Sequence, residues 1–421
     1  MPKKESRWFR LLGCLALVSL LSGCFAPDVD TMSERVSAAT SLFSAPSHGP
    51  ALPVSIFVAS TRHDGGKKRP RGTAHFSLDM VSVPPDHVAG RIERPLFGGA
   101  DPAKDFDLTL SRPLGKDTFY NQIATYLSGR VGSNRDVLVY VHGYNTSESE
   151  ALFRLAQIVA DARFGGVAVL FTWPAGGGPF SYVSDKDRAT ASRDALTKLL
   201  AGLSHVPGLG RIHVLAHSMG SWLAMEALRE NAIAGHPNLN GRLGQVMLAA
   251  PDIDLSVFRQ QLARIGDPGR VSIFVSSNDR ALSLSTQIHG DRPRLGSLNP
   301  NDPRSRAVLR RLGVHVYDLS GFSDGFFDHG AFADTPEVIR SIGAHLAAPR
   351  KTDADKTDVI DLGVDHSPAP PASPSTSSAP AAGPSPSTSA AAGPSPPPSM
   401  TAPAPTSPPN AASSPSPAPA Q

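Results

Sequence analysis

The sequence IHVLAHSMGS at residues 212–221 decides the fold. Its first part, Ile212–Leu215, has the apolar composition of a buried strand, and a helical pattern follows the stretch. Between the two, Ser218 occupies a turn of the kind that projects a nucleophilic serine above the end of a strand. Ala216 and Gly220 are both small, as the close approach of strand and helix requires. We therefore predict that Ser218 is a catalytic nucleophile.

The spacing of small residues around Ser218 is not by itself specific. The sequence APSHG at residues 45–49 places Ser47 in the same pattern. No strand pattern precedes Ser47 and no helical pattern follows it, so the structural context favours Ser218 alone.

Strand and helix patterns alternate on both sides of this stretch. Strands are predicted at Val54–Ala59, Ala74–Val83, Val137–Val141, Val167–Phe171, Ile212–Leu215, Val246–Ala249, Val271–Val275 and Val314–Tyr317. Helices are predicted at Glu148–Ala162, Asp187–Leu203, Ser221–Glu230, Leu255–Ile265 and Pro336–Leu346. Continuous apolar strands separated by helices are typical of a mostly parallel sheet covered on both faces. We therefore predict a three-layer α/β domain over residues 51–349.

A serine hydroxyl needs an imidazole to accept its proton and a carboxylate to orient that imidazole. Asp279 follows the strand Val271–Val275, so it is predicted at the carboxyl edge of the sheet. His329 is the only histidine between the last strand and the last helix, and we predict that it is the general base. Asp252 and Asp254 follow the preceding strand and are alternatives for the acid.

The developing oxyanion of an acyl-transfer reaction needs two N–H donors. One is predicted to be the backbone of Met219, which follows the nucleophile. The other is predicted to be the backbone of Tyr144, in the loop after the strand Val137–Val141. His142 begins this loop and is placed at the pocket, although a histidine there is more often a packing residue.

Several stretches, taken in order, resemble a bacterial family of α/β-hydrolases of uncharacterised function, related in fold to esterases and lipases. The resemblance covers residues 54–346 and is carried by VYVHGYN (139–145), FTWPAGG (171–177), LAHSMGSWL (215–223), APDID (250–254), SSNDRALSLS (276–285) and RLG (294–296). It implies a triad of Ser218, Asp279 and His329, and a pocket shaped in part by Trp173, Tyr182 and Asp185. Ser221 and Gly330 replace an asparagine and a serine that are frequent in the family, which affects pocket shape more than mechanism.

The amino-terminal segment is typical of a bacterial lipoprotein signal peptide, predicted over residues 1–23. A basic stretch and a short apolar run precede Leu21-Ser22-Gly23-Cys24, which resembles the site at which a cysteine is acylated. Cys14 lies in a similar tripeptide but inside the apolar run, and an uncleaved anchor helix is the alternative to cleavage. We expect a lipid anchor on Cys24, a linker over 24–50 and a cell-envelope location, with the outer membrane or periplasm favoured.

Composition limits the other possibilities. Residues 350–421 are rich in Pro, Ala and Ser, which predicts a disordered tail. The formal net charge of +3 comes from the first 23 residues, and the remainder carries 36 basic and 36 acidic residues, so no nucleic-acid partner is expected. The spacings that bind metals or phosphates are missing, so no cofactor or metal is expected.

We therefore predict a serine hydrolase whose substrate is a small-molecule or lipid carboxylic ester. The rival interpretation is a surface-anchored binding or scaffold lipoprotein that keeps the fold with little turnover. The intact set of nucleophile, base, acid and donor loop favours the enzyme.

Overall fold

The structure, a computed structural model, describes residues 49–62, 72–95, 97–175, 181–279, 281–282, 285–286, 292–322, 331–347 and 359–361. The chain divides into two units, Met1–His366 and Ser367–Gln421, and all described residues lie in the first. The predictions for the leader with Cys24, for the linker up to residue 48, for His329 and for most of the tail lie outside the described residues.

The strands form one sheet in the order β10-β9-β8-β7-β6-β4-β5-β1-β2-β3. Neighbouring strands are parallel from β10 to β1, and β2 and β3 complete the other edge as antiparallel strands. The carboxyl ends of the parallel strands therefore meet at one edge. The bounds are β1 Leu52–Ser60, β2 His75–Val83, β3 Asp107–Leu114, β4 Val137–Val141, β5 Val167–Thr172, β6 Ile212–His217, β7 Leu243–Ala249, β8 Val271–Val275, β9 His315–Asp318 and β10 Val359–Asp361.

Helices connect these strands and begin with recognisable caps. Ser147 and Glu150 form a reciprocal capping box at the start of the second helix, and Asp254 caps the fifth by accepting the N–H groups of Ser256 and Val257. The bounds are α1 Lys116–Leu127, α2 Glu148–Asp161, α3 Tyr182–Leu203, α4 Met219–Ile233, α5 Leu255–Ile265, α6 Pro303–Leu312, α7 Ala331–Asp334 and α8 Pro336–Ala347.

Two hydrophobic clusters cover the two faces of the sheet. In β4, Val137, Val139 and Val141 belong to one cluster and Leu138 and Tyr140 to the other, as the alternation of side chains along a strand requires. The first cluster includes residues of α1, α3, α4, α5 and α6, whereas the second includes residues of α2, α7 and α8. The predicted three-layer α/β architecture with a mostly parallel sheet is confirmed.

Five elements were not predicted from the sequence: the strands β3 and β10 and the helices α1, α6 and α7. Strand β3 is an edge strand with mostly exposed residues, so it lacks the continuous apolar pattern of the central strands. Helix α1 buries Phe119, Ile123 and Leu127 at intervals of four residues, which is a helical spacing. Strand β10 pairs with β9 beyond residue 349, where the sequence analysis ends the domain.

Helix α2 fixes two segments that pack against it. Gln157 and Arg154 each donate a hydrogen bond to the carbonyl oxygen of Ala333 in α7, at 3.0 and 3.2 Å. One turn further along the helix, Asp161 accepts hydrogen bonds from the His87 imidazole and the Gly90 N–H, both at 2.9 Å. The loop after β2 and the short helix α7 are thereby attached to the same helix.

His87 lies between two carboxylates. Its Nδ1 contacts Glu93 and its Nε2 contacts Asp161, each at 2.9 Å, and its ring meets the Phe106 ring edge-on. Burial lowers the pKa of His87, but the hydrogen bonds with Asp161 and Glu93 outweigh burial and raise that pKa above its ordinary value. A neutral imidazole has only one N–H, so the ring donates to both carboxylates only when it is protonated.

Within the described residues, no helix combines the length and the apolar character that a membrane span requires.

We predict that His87→Gln lowers the free energy of unfolding by about 1–3 kcal/mol, the usual cost of leaving buried partners unsatisfied. Because the folded-state pKa is raised, the stabilisation is fully present below the unfolded-state pKa of about 6.5 and is lost as pH rises through the folded-state value. Thermal melts of both proteins between roughly pH 5.5 and 8.5 should therefore converge at the alkaline end. The matched control is the exposed His236→Gln, and a pH-independent difference for His87→Gln would contradict the prediction.

Candidate active site

Ser218 stands between β6 and α4 with a backbone φ of 53° and ψ of −123°. A positive φ is unfavourable for a residue with a side chain and needs support from its surroundings. The Ser218 N–H donates to the Ala249 carbonyl at 2.9 Å, and the Ser218 carbonyl accepts the N–H groups of Ser221 and Asp252 at 3.0 and 3.2 Å. Three backbone hydrogen bonds thus hold the strained turn.

The residues around Ser218 pack too closely for larger side chains. A Cβ atom added to Gly220 would lie 2.2 Å from the His142 carbonyl oxygen and 2.6 Å from that of Val141. Ala216, on the other side of the serine, is fully buried. Glycine at 220 therefore lets α4 begin directly against the end of β4.

The loop after β4 lies beside Ser218. A Cβ atom added to Gly143 would lie 3.0 Å from the Ser218 Cβ, so the backbone of this loop contacts the serine directly. Asn145 turns the loop with a φ of 51°. Met219, on the other side, is the first residue of α4, where the N–H groups lack intrahelical acceptors and the helix dipole favours negative charge. The backbones of Tyr144 and Met219 thus flank the serine.

His142 is a fully buried, neutral histidine that braces this loop. Burial and, after it, the charge of Arg62 lower the pKa of His142 to about 3. Its Nε2 accepts the Trp173 N–H at 3.1 Å, so its Nδ1 carries the proton and donates to the Gly143 carbonyl at 2.9 Å. The ring also stacks on Trp173 at an interplanar angle of 8°. His142 therefore acts as a packing residue and not as a base.

Asp279 follows β8 at the carboxyl edge of the sheet and is 1% exposed. Its Oδ1 accepts the Leu282 N–H at 3.0 Å, and its own N–H donates to the Ser276 carbonyl at 3.4 Å. The Ser276 N–H in turn donates to the Gly296 carbonyl at 3.0 Å. The carboxylate is thus held in a short turn that is anchored to the chain at Gly296.

His329 lies outside the described residues, but the residues that flank it are placed. Before it, Ser320 accepts a hydrogen bond at its Oγ from the Ser277 N–H at 2.9 Å, close to Asp279 in sequence. After it, the Phe332 ring stacks on His217, the neighbour of Ser218, at a centroid distance of 4.8 Å. The segment that carries His329 therefore starts at the acid loop and ends at the nucleophile turn.

The two alternatives for the acid, Asp252 and Asp254, have carboxylates that already interact with other residues. The buried Asp252 carboxylate accepts hydrogen bonds from the Tyr182 hydroxyl at 2.5 Å and the Ser285 hydroxyl at 2.7 Å, and it pairs with Arg294 at 3.1 Å. Asp254 caps α5. The network around Asp252, which sequence reasoning missed, ties the segment containing Ser285 and Arg294 to the carbonyl of Ser218 through the Asp252 N–H.

The remaining pocket residues of the sequence analysis are buried. Trp173 and Asp185 are inaccessible to solvent, and Tyr182 is 8% exposed. Asp185 accepts hydrogen bonds from Arg188 at 2.7 Å and from the Ser181 hydroxyl at 3.2 Å. Burial and the neighbouring Asp252 charge raise the pKa of Tyr182 well above its ordinary value, so it remains a hydroxyl donor. The Trp173 indole N–H donates to the His142 carbonyl at 3.0 Å and the Tyr182 hydroxyl to Asp252, so both side chains contact loops of the site.

Arg62 is a second residue that sequence reasoning missed. It lies two residues after the end of β1 and contacts β5 and the loops after β4 and β5. A charged residue shortly after a buried strand is the available signal, but the predicted strand ends at Ala59 and the sequence makes no prediction for Arg62.

No group of three histidine, cysteine, aspartate or glutamate side chains with the geometry of a metal site occurs among the described residues. The carboxyl edge holds the Ser218 hydroxyl, the buried Asp279 carboxylate and the backbones of Tyr144 and Met219, beside the buried Asp252 carboxylate that is paired with Arg294. This set has the composition of an acyl-transfer site.

Comparison with known proteins gives one family match. The model of a family described as alpha/beta hydrolase of unknown function (DUF900) matches residues 117–350. The matched range covers more than half of the chain and includes Tyr144, Ser218, Asp279 and His329.

Solved structures give weaker likenesses. An esterase from Pyrobaculum calidifontis has 12% sequence identity and a TM-score of 0.35, over 82% of this chain and 98% of the esterase. A thioesterase from the prodiginine biosynthetic pathway of Streptomyces coelicolor has 13% identity and a TM-score of 0.23, over 47% of this chain and 96% of the thioesterase. A search of curated proteins finds no match.

Proposed function

Because this chain belongs to the DUF900 family of α/β-hydrolases, we propose that it is a serine hydrolase that cleaves carboxylic esters through an acyl-enzyme on Ser218. The observation that carries the proposal is the strained turn at Ser218, which is supported by three backbone hydrogen bonds and contacts Gly143 of the loop after β4. Strain of this kind is retained where the chain gains a function from it.

The reaction follows from the groups around the serine. Ser218 Oγ attacks the ester carbonyl carbon while the His329 imidazole accepts the hydroxyl proton. The carbonyl oxygen becomes an oxyanion that accepts hydrogen bonds from the N–H groups of Tyr144 and Met219. Collapse of this intermediate expels the alcohol, which takes the proton from His329. Water then attacks the acyl-enzyme with the same imidazole as base, and the carboxylic acid is released.

Two observations support His329 and Asp279 as the base and the acid. His329 is three residues before Phe332, whose ring contacts His217 beside Ser218, and three residues span at most about 11 Å, so the length of the chain allows His329 to reach the nucleophile. Asp279 is buried at the carboxyl edge, next to the residues that contact Ser320 at the start of the same segment. The carboxylate of Asp252, by contrast, is already shared by an arginine and two hydroxyl groups.

We also propose that the protein is lipid-anchored in the bacterial cell envelope through Cys24, which follows a leader of the lipoprotein type. Acyl chains contribute roughly 0.8 kcal/mol per buried methylene, so more than one chain on this cysteine would hold the enzyme at a membrane surface. Small-molecule or lipid esters near that surface are the substrate class that fits both proposals.

The first test is labelling by a fluorophosphonate probe, which reacts with activated serines. We expect the wild type to be labelled and Ser218→Ala to lose all labelling while its circular dichroism and melting temperature are retained. Ser47→Ala is the matched control, because Ser47 lies in the same small-x-Ser-x-Gly pattern, and it should be labelled like the wild type. A well-folded wild type that does not react would instead favour a binding or scaffold protein.

The second test separates the candidate acids. Asp279→Asn should reduce kcat for p-nitrophenyl acetate by roughly 10³–10⁴-fold, the loss seen when the orienting carboxylate of a triad is neutralised. Asp252→Asn should mainly lower the melting temperature, because it weakens the buried pair with Arg294. If Asp252→Asn abolished turnover in a folded protein and Asp279→Asn did not, the assignment of the acid would have to be exchanged.

The third test concerns the anchor. In a bacterial host, Cys24→Ala should lose incorporation of an alkyne-labelled palmitate and move from the membrane fraction to the soluble fraction. Cys14→Ala should keep both the label and the membrane fraction, since Cys14 lies within the apolar run of the leader. Palmitate incorporation that survives Cys24→Ala would refute the assigned anchor.

A further inference from the structure

Arg62 reaches from the first strand of the sheet to the loop beside the nucleophile. It follows β1, whose last residue Ser60 pairs with Thr172 of β5, and the Thr61 N–H donates to the Thr172 carbonyl at 2.9 Å. Strand β5 separates β1 from β4. The Arg62 side chain crosses the end of β5 and contacts residues that follow β4.

The guanidinium group makes four contacts at the carboxyl edge. Its Nε donates to the Thr172 hydroxyl at 2.7 Å and its Nη1 to the Ala175 carbonyl at 2.9 Å. Its Nη2 donates to the Thr146 carbonyl at 2.6 Å and lies 3.3 Å from His142 Nε2. All three guanidinium nitrogens are therefore engaged, and a planar group with fixed N–H directions sets the relative positions of its acceptors.

Two of these contacts are at the two ends of one turn. His142 and Thr146 bracket residues 143–145, which contain the glycine against Ser218 and the Tyr144 backbone. Within the bracket, Asn145 has a φ of 51°. A turn with an unfavourable backbone conformation keeps its shape only when its ends are fixed.

His142 transmits the position of Arg62 to the turn. Its Nε2 faces the Arg62 guanidinium, the Thr172 hydroxyl and the Trp173 N–H, and its Nδ1 donates to the Gly143 carbonyl at 2.9 Å. Nearby acidic residues, Glu148, Asp185 and Glu150, offset part of the cost of burying the guanidinium. The charge of the Arg62 guanidinium is thus partly offset by these acidic residues, whereas its direct contacts are to neutral oxygen and nitrogen atoms.

We propose that Arg62 is a positioning residue that fixes the 142–146 turn, so that the Tyr144 N–H is preset for the oxyanion. This inference rests on the proposed hydrolase function for its kinetic consequence but not for its structural one. Arg62 stabilises the charge of the transition state only through the turn that it holds.

The test uses Arg62→Gln and Arg62→Lys in the full chain. Neither side chain spans the acceptors after β4 and β5 at once, because glutamine is short and lysine carries a single donor nitrogen. We expect hydrogen–deuterium exchange of residues 142–146 to rise in both variants while exchange in α4 is unchanged. For p-nitrophenyl acetate, kcat should fall about 10–100-fold, which is at most the fall caused by removing one oxyanion donor. KM should change by less than about threefold.

Arg270→Gln and Arg270→Lys are the matched controls. Arg270 is also a partly buried arginine that binds a carbonyl, that of Leu243, and it pairs with Asp267 at 2.8 Å. It lies immediately before β8, at the opposite end of the strands. These variants should change stability to a similar extent but leave kcat and exchange at 142–146 unchanged.

Chemical rescue covers the case in which the other variants are unstable. Arg62→Ala should recover at least part of its kcat when guanidinium chloride is added at low millimolar concentration, and sodium chloride at the same ionic strength should have no effect. Rescue by guanidinium but not by sodium chloride is expected only if the planar cation itself orders the turn.

The outcomes separate this inference from the proposed function. Unchanged exchange at 142–146 in both Arg62 variants overturns the positioning role, whether or not the wild type hydrolyses esters. Raised exchange in a chain whose wild type neither reacts with a fluorophosphonate nor hydrolyses esters supports the positioning role and refutes the hydrolase. A fall in kcat of the same size in the Arg270 variants would also overturn the inference, since it would reduce the effect to general destabilisation.

Discussion

The unfavourable backbone at Ser218 is the constraint on which the carboxyl edge of the sheet depends. A φ of 53° is maintained by hydrogen bonds to the end of β7, to the loop that follows β7 and to the first turn of α4, so the turn requires these neighbours at fixed distances. Gly220 and Gly143 meet the same constraint because nothing larger fits between α4, β4 and the serine. The loops that lead to Asp279 and to residues 323–330 are in turn attached to this edge, through Gly296, Ser320 and Phe332.

Much of this arrangement can be predicted from the sequence, because the central strands are buried on both faces. Val137–Val141 and Val271–Val275 have the bounds that the apolar runs predicted, and Leu255–Ile265 has the predicted helical bounds, set by Asp254 at one end and Gly266 at the other. Strand β3 was not predicted, because its side chains are mostly exposed and an exposed edge strand needs no apolar run. The position of Ser218 was predictable because the strand, the serine and the helix are contiguous.

The contacts that support the site were not predictable in the same way, because they join residues far apart in the chain. Asp252 is 70 positions from Tyr182 and pairs with Arg294. The local sequence around Asp252 therefore indicates a carboxylate near the edge of the sheet but not its partners. Arg62 is 84 positions from Thr146, and nothing in its local sequence indicates a bond to the loop after β4. Sequence patterns record burial and local turns, whereas the partner of a polar side chain is fixed by the sheet order.

The two arginines of the site, Arg62 and Arg294, have different acceptors, and this difference bears on the chemistry. Arg294 is neutralised by Asp252, so it contributes little net charge beside the nucleophile. Arg62 binds carbonyl and hydroxyl oxygens, and its charge helps burial keep His142 neutral, with a pKa of about 3. Protonation of His142 would remove the acceptor of the Trp173 N–H and disturb the turn at Gly143. Because that event is displaced far into the acid range, the donor loop keeps one hydrogen-bond pattern over the whole range in which an ordinary imidazole near pKa 6.5 titrates.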